Sequence, residues 1–277
     1  MRNATHCASC GSSLLCALGL LCAAVLAAAP AQAQKTSDPD RIWIHRNLGS
    51  AYFADESFTE AAKELGAVAA LPEAQPGDQR NAGIAFLLAK DYPAAHEALE
   101  KARSLEPRDP RTAYAAGILA KRESNLDAAR TAFLECRELG GTGPELDYNL
   151  GIVESRLNNL EGAQKEFRAA VDLGPNNAPR HYASSLYRLG RTLIQMGQRD
   201  EGAKAMASYQ ELVKAGAGAQ LSEEDLERGP LLELTELDRP PDVRAAGPLP
   251  AFKLEPIPAG DIRWAVSSDF DQDGDSD

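Results

Sequence analysis

An all-α solenoid of about five helix pairs is the fold class this sequence predicts, on three observations. The first is a period. Gly49, Gly83, Gly117 and Gly151 stand 34 residues apart, as do Ala61, Ala95, Ala129 and Ala163, and then Leu65, Leu99, Phe133 and Phe167. The second is composition: 44% hydrophobic residues with only 6% aromatic, and Ala abundant, favours packed helices over a β-sandwich. The third is punctuation, since Pro107 and Pro175 close "LEP" and "LGP" two periods apart.

Each period reads as two antiparallel helices. The Gly marks where helix A approaches helix B too closely for a side chain, the Ala faces it from helix B, and the large apolar residue four later fills the seam. The pattern predicts helices near 41–54, 57–70, 76–89, 93–104, 110–122, 126–138, 144–157, 160–173, 179–196 and 199–214. The fifth copy slips: Gly190 follows Gly151 by 39 residues, so "GPNNAPRHY" is an insertion and a longer helix A is expected from about Pro179. Gly202 then takes the small position and Met206 the seam.

"NLGSAYFADESFTEAAKEL", "NAGIAFLLAKDYPAAHEAL" and "NLGIVESRLNNLEGAQKEF" carry L-G-x-x-Y and A-x-x-x-F features. In these the chain resembles the tetratricopeptide repeat family over about residues 40–214. The family's helix-A Trp position reads His45, Gln79, Ala113 and Asp147, and Ala120 and Glu154 replace the aromatic supplied by Tyr52 and Phe86. The resemblance implies a right-handed superhelix whose A helices line a concave groove.

The ends differ from the repeats. Residues 1–33 hold no acid, carry Arg2, run apolar from Leu14 to Ala29 and offer "AQA" before Gln34. That is the pattern of a signal peptide, with an uncleaved anchor as the alternative, and it implies an exported, periplasmic or extracellular chain. Cys7, Cys10, Cys16 and Cys22 lie in this segment, so the mature chain keeps Cys136 alone and no intramolecular disulfide. After a short segment, 34–40, the solenoid is expected over 41–228, with a short helix capped by Ser222 and Asp225 covering the open end of the last repeat. Residues 229–260 hold seven Pro and read as an extended linker.

Residues 261–277 alternate apolar and polar at Ile262, Trp264 and Val266, then give Asp269, Asp271, Asp273, Gly274, Asp275 and Asp277. Alternate oxygens around a Gly turn suit calcium, and a solvated acidic tail is the alternative reading. The strand-then-loop order resembles the opening blade of an FG-GAP or VCBS-type β-propeller, which implies an incomplete β segment of a longer protein.

Chemistry beyond this is sparse. No H-E-x-x-H, G-x-S-x-G, P-loop or dinucleotide pattern occurs, His45, His96 and His181 are isolated from metal-like partners, and Cys136 sits where a small buried residue belongs. Loss of residues 1–33 leaves 28 basic against 41 acidic groups, a balance that repels nucleic acid and anionic lipid. No membrane span is expected in the mature chain.

Two and three residues before each repeat Gly stand Arg46-Asn47, Arg80-Asn81, Tyr114-Ala115, Tyr148-Asn149 and Tyr187-Arg188, with Arg111 and Arg191 beside them. On the implied inner wall these guanidinium, amide and phenol groups suit the backbone or carboxylates of an extended peptide. A merely solvated wall is the other reading. The function expected is a non-catalytic scaffold that binds protein in its groove, linked to a calcium-binding propeller. The rival is a module that presents a C-terminal domain of adhesive, carbohydrate-binding or enzymatic function.

Overall fold

The computed structural model describes residues 39–216 and 221–237. Five antiparallel pairs follow one another: α1 (Pro39–Ala54) with α2 (Phe58–Ala69), α3 (Pro76–Leu88) with α4 (Tyr92–Leu105), α5 (Pro110–Arg122) with α6 (Leu126–Glu138), α7 (Pro144–Arg156) with α8 (Leu160–Asp172), and, after the single turn α9 (Gly174–Asn177), α10 (Tyr182–Gln195) with α11 (Arg199–Lys214). Each pair packs on the next, α2 on α3, α4 on α5, α6 on α7 and α8 on α10. A further helix, α12 (Glu223–Glu227), and a 3-10 turn at Pro230–Leu232 complete the described elements, among which there is no strand. The α-solenoid expected from the period is the fold.

The local signals repeat with the fold. Pro76, Pro110 and Pro144, 34 residues apart, open α3, α5 and α7, where a missing N–H costs nothing. Asp91, Asn125 and Asn159 cap α4, α6 and α8 by accepting the backbone N–H three residues on at 3.2, 3.3 and 3.2 Å. The residue before each cap turns left-handed, at Lys90, Ser124 and Asn158 with φ of 65°, 63° and 60°. Glu56 and Gly197 do the same in the first and fifth pairs.

The repeat glycines sit at close contacts. A Cβ on Gly117 would lie 2.5 Å from the Phe133 ring, and the same collision recurs at Gly49 with Leu65, Gly83 with Leu99 and Gly151 with Phe167. The space next to the Gly is thus taken by the large seam residue rather than by the Ala, which is buried beside it. The fifth A helix also departs from expectation. It starts at Tyr182 instead of Pro179, because Pro179 drives Ala178 out of helical geometry (φ −132°, ψ 51°) and leaves α9 as a separate turn.

Consecutive pairs are tied by charge as well as by apolar packing. Arg46 donates to both oxygens of Asp78 at 2.8 and 2.7 Å, and Arg80 reaches Asp109 at 2.6 Å, each carboxylate standing at the start of the following A helix. On the B helices Arg137 reaches Glu166 at 2.6 Å. The signal-peptide segment, its four cysteines, the stretch 238–260 and the carboxylates Asp269 to Asp277 lie outside the described residues.

Candidate functional site: the A-helix face and the segment laid on it

Residues 221–237 do not cover the end of the last repeat. They run back along the A helices, from α10 and α7 past α5 to α3. The described part of the expected linker, 229–237, is therefore packed on the repeats. The turn into this path is local: Ser222 and Asp225 form the reciprocal cap that starts α12, with Ser222 Oγ accepting from Asp225 N at 3.0 Å.

Leu226 buries its side chain in the cluster of Tyr148, Ile152, Leu189 and Leu193. Its carbonyl accepts from Asn149 Nδ2 and from His181 Nε2, both at 3.0 Å, which fixes the proton on that ring nitrogen. Burial lowers the His181 pKa, so the ring is held neutral. Tyr114 donates its hydroxyl to the Glu227 carbonyl at 2.8 Å. Burial pushes the Tyr114 phenol well above its usual range, keeping it a donor.

The Glu227 carboxylate is 2% exposed and takes two cations. Lys121 Nζ lies 2.8 Å from one oxygen, and Arg122 Nη2 and Nε lie 2.6 and 2.9 Å from the other. Lys121 is itself 2% exposed and also donates to Asn149 Oδ1 at 2.6 Å. Burying two opposite charges together is tolerable only with such full pairing. Glu223 and Glu224 add exposed pairs with Arg156 and Lys90 at 2.7 and 2.9 Å.

Past Gly229 the segment becomes apolar. Leu231 and Leu232 enter the central cluster with Tyr114, Leu146 and Leu150. The Leu231 N–H donates to buried Glu145 at 3.3 Å, and burial raises the pKa of that carboxyl. At Thr235 the face reads a peptide unit directly: Asn81 Oδ1 accepts its N–H at 2.9 Å while Asn81 Nδ2 donates to its carbonyl at 2.8 Å. Its hydroxyl oxygen accepts from Arg80 at 2.6 Å and Arg111 at 2.7 Å.

Of the residues expected to hold an extended peptide, the structure brings Arg80, Asn81, Arg111, Tyr114, Tyr148 and Asn149 onto this one segment. Arg188 lies beside its start, lining with Tyr148, Tyr187 and Leu221 a cavity of about 180 Å³. Arg46 is engaged with Asp78, Asn47 is exposed, and Arg191 stacks over Tyr187 at 5.8 Å. Lys121, Arg122, Glu145 and His181 were not expected here. A Lys on an apolar helix face was the one readable signal, at Lys121; His181 meets a main-chain carbonyl, which leaves no trace in side-chain patterns.

Cys136 is buried in the central cluster and its thiol is pushed up to about 12 by burial. His45 and His96 pair with Glu64 and Glu123. Among the described residues no group of three His, Cys, Asp or Glu could hold a metal ion, and no helix is long and apolar enough to cross a membrane.

These features define a solenoid of tetratricopeptide-like helix pairs whose A-helix face holds a segment of the chain's own polypeptide, residues 221–237. No protein-family model matches the chain, and no curated protein matches it. Among solved structures it is similar to MamA from Desulfovibrio magneticus RS-1 (residues 41 to the end), at 20% identity and a TM-score of 0.56 over 64% of this chain and 97% of that one. A second MamA crystal structure gives 17% identity and a TM-score of 0.55, covering 67% of this chain and 98% of that one. At such identities the likeness is one of fold.

Proposed function

We propose that the chain is an exported, non-catalytic scaffold that binds protein through the groove formed by its A helices. The observation that carries this reading is the set of side chains aimed at main-chain atoms. Asn81 takes both polar groups of Thr235, while Asn149, His181 and Tyr114 take the carbonyls of Leu226 and Glu227. Side chains arranged in this way recognise the main-chain groups of a polypeptide. The unreactive Cys136 thiol agrees with a binding role.

In this reading the mature chain starts at Gln34, outside the cytoplasm, and Asp269, Asp271, Asp273, Asp275 and Asp277 form a calcium loop beyond the solenoid. Quantitative affinity capture from the exported fraction, with the full mature chain and its Asn81→Ala variant, tests the central claim. A partner lost by the variant supports it. A partner held equally by both, and released by substitutions on the B helices instead, overturns it.

A further inference from the structure

The A-helix face is already filled by residues 221–237, and the fit specifies what else it would accept. The segment carries six acidic residues and one basic. Its acids pair with Lys90, Lys121, Arg122 and Arg156, Arg80 and Arg111 meet it at the Thr235 hydroxyl, and two acids of the repeats face it as well, Glu145 at the Leu231 N–H and Glu56 at Arg228, in a chain whose net charge is −12. A basic stripe on so acidic a protein points to an acidic ligand. The buried Lys121–Arg122 pair demands one carboxylate, since a neutral residue there would strand a buried ammonium. Four and five residues on, two leucines are needed in the central cluster, and the Asn81 clamp follows three residues after the second.

We propose that this face is a receptor for an acidic, leucine-rich segment of another protein, with the pattern carboxylate, Leu-Leu and then a clamped peptide unit, and that residues 221–237 hold it closed in cis. The inference rests on the protein-binding reading above and adds the ligand's chemistry and its competitor. Asn81 reading the N–H and the carbonyl of one residue belongs to polypeptide recognition, which sets nucleic acid aside. The cis segment is joined to α11 through residues 215–220, so its effective concentration is on the order of millimolar. With an intrinsic Kd of roughly 10 µM for the segment itself, a trans ligand would then bind the closed chain about 100-fold more weakly than an opened one.

The probe is a fluorescein-labelled synthetic peptide of residues 221–237, followed by anisotropy against the full mature chain. Leu231→Asp with Leu232→Asp opens the face without touching its reading residues. The opened chain should bind the peptide saturably, the unmodified chain about 100-fold more weakly, and addition of Asn81→Ala to the opened chain should cost roughly 10-fold or more. An opened chain of unchanged helix content that ignores the peptide overturns the proposal, and so does equal binding by opened and unmodified chains. Where the Asp substitutions unfold the chain, recovery of far-UV helix signal on adding peptide supports the proposal and its failure overturns it. Asn81-dependent capture of a partner without any peptide binding would leave the scaffold reading standing and remove this ligand class.

Discussion

Replacing Glu227 by Gln removes one negative charge from the place where the segment is most deeply anchored. Lys121 Nζ, 2.8 Å away, is 2% exposed and cannot reach water while the segment stays docked. Removing one member of a buried pair costs about 3–5 kcal/mol, because the other charge is left uncompensated. Two features pull the value to the low end: Asn149 Oδ1 remains 2.6 Å from Lys121, and Glu223 stands 3.4 Å away. Detachment sets a ceiling as well, since an undocked segment lets Lys121 hydrate. We therefore expect about 3 kcal/mol from urea unfolding. Hydrogen exchange should accelerate at the amides of Leu231 and Thr235, which the face holds through Glu145 and Asn81. Lys121→Met should cost less, because Glu227 keeps Arg122, and the double-mutant cycle should return a coupling on the order of 2 kcal/mol. A loss under about 0.5 kcal/mol with unchanged exchange would refute the reasoning.

Four further outcomes follow from the same geometry. Gly117→Leu must displace the Phe133 ring, 2.5 Å from its Cβ, and should cost about 1–3 kcal/mol; an unchanged melting temperature would show that the seam gives way freely. Ser124→Gly relieves a left-handed residue at φ 63° and should raise stability by about 0.5–1 kcal/mol in urea titration. His181 has a folded pKa below its usual 6.5, so its contribution is complete above that value and is lost as pH falls through the lowered one; His181→Gln should flatten the stability profile there. Calorimetry with calcium should show weak uptake, on the order of millimolar, abolished by Asp271→Ala with Asp273→Ala; no heat in the unmodified chain would leave those carboxylates a solvated tail.

What the sequence makes legible is what it repeats. Gly, Ala and seam residue each recur at 34, so four helix pairs are placed to within about two residues. The fifth slips because Pro179 interrupts a helix whose other signals continue to Gly190. The site is half legible for the same reason. Arg80, Asn81, Tyr114, Tyr148 and Asn149 occupy fixed offsets from the repeat Gly and so could be found. Residues 221–237 occur once, have no period, and meet partners as far as 172 residues away, where Arg228 pairs with Glu56. Their acidic and leucine residues look like a linker until the surface that receives them is present.

That dual use changes how the arginine stripe is to be tested. Arg46 and Arg80 were expected to hold a ligand's carboxylates, and weaker capture on their removal would have been taken as support. Arg46 is spent on Asp78, and Arg80 on Asp109 as well as Thr235, so Ala at both would strand buried carboxylates between three successive pairs. Lost capture would then report a damaged stack. Asn81 separates the two roles, because both of its side-chain hydrogen bonds go to Thr235 and none to a neighbouring repeat. A residue whose polar contacts end on the segment can be removed at the expense of recognition, while the Arg–Asp ties between pairs keep the face that recognises it in place.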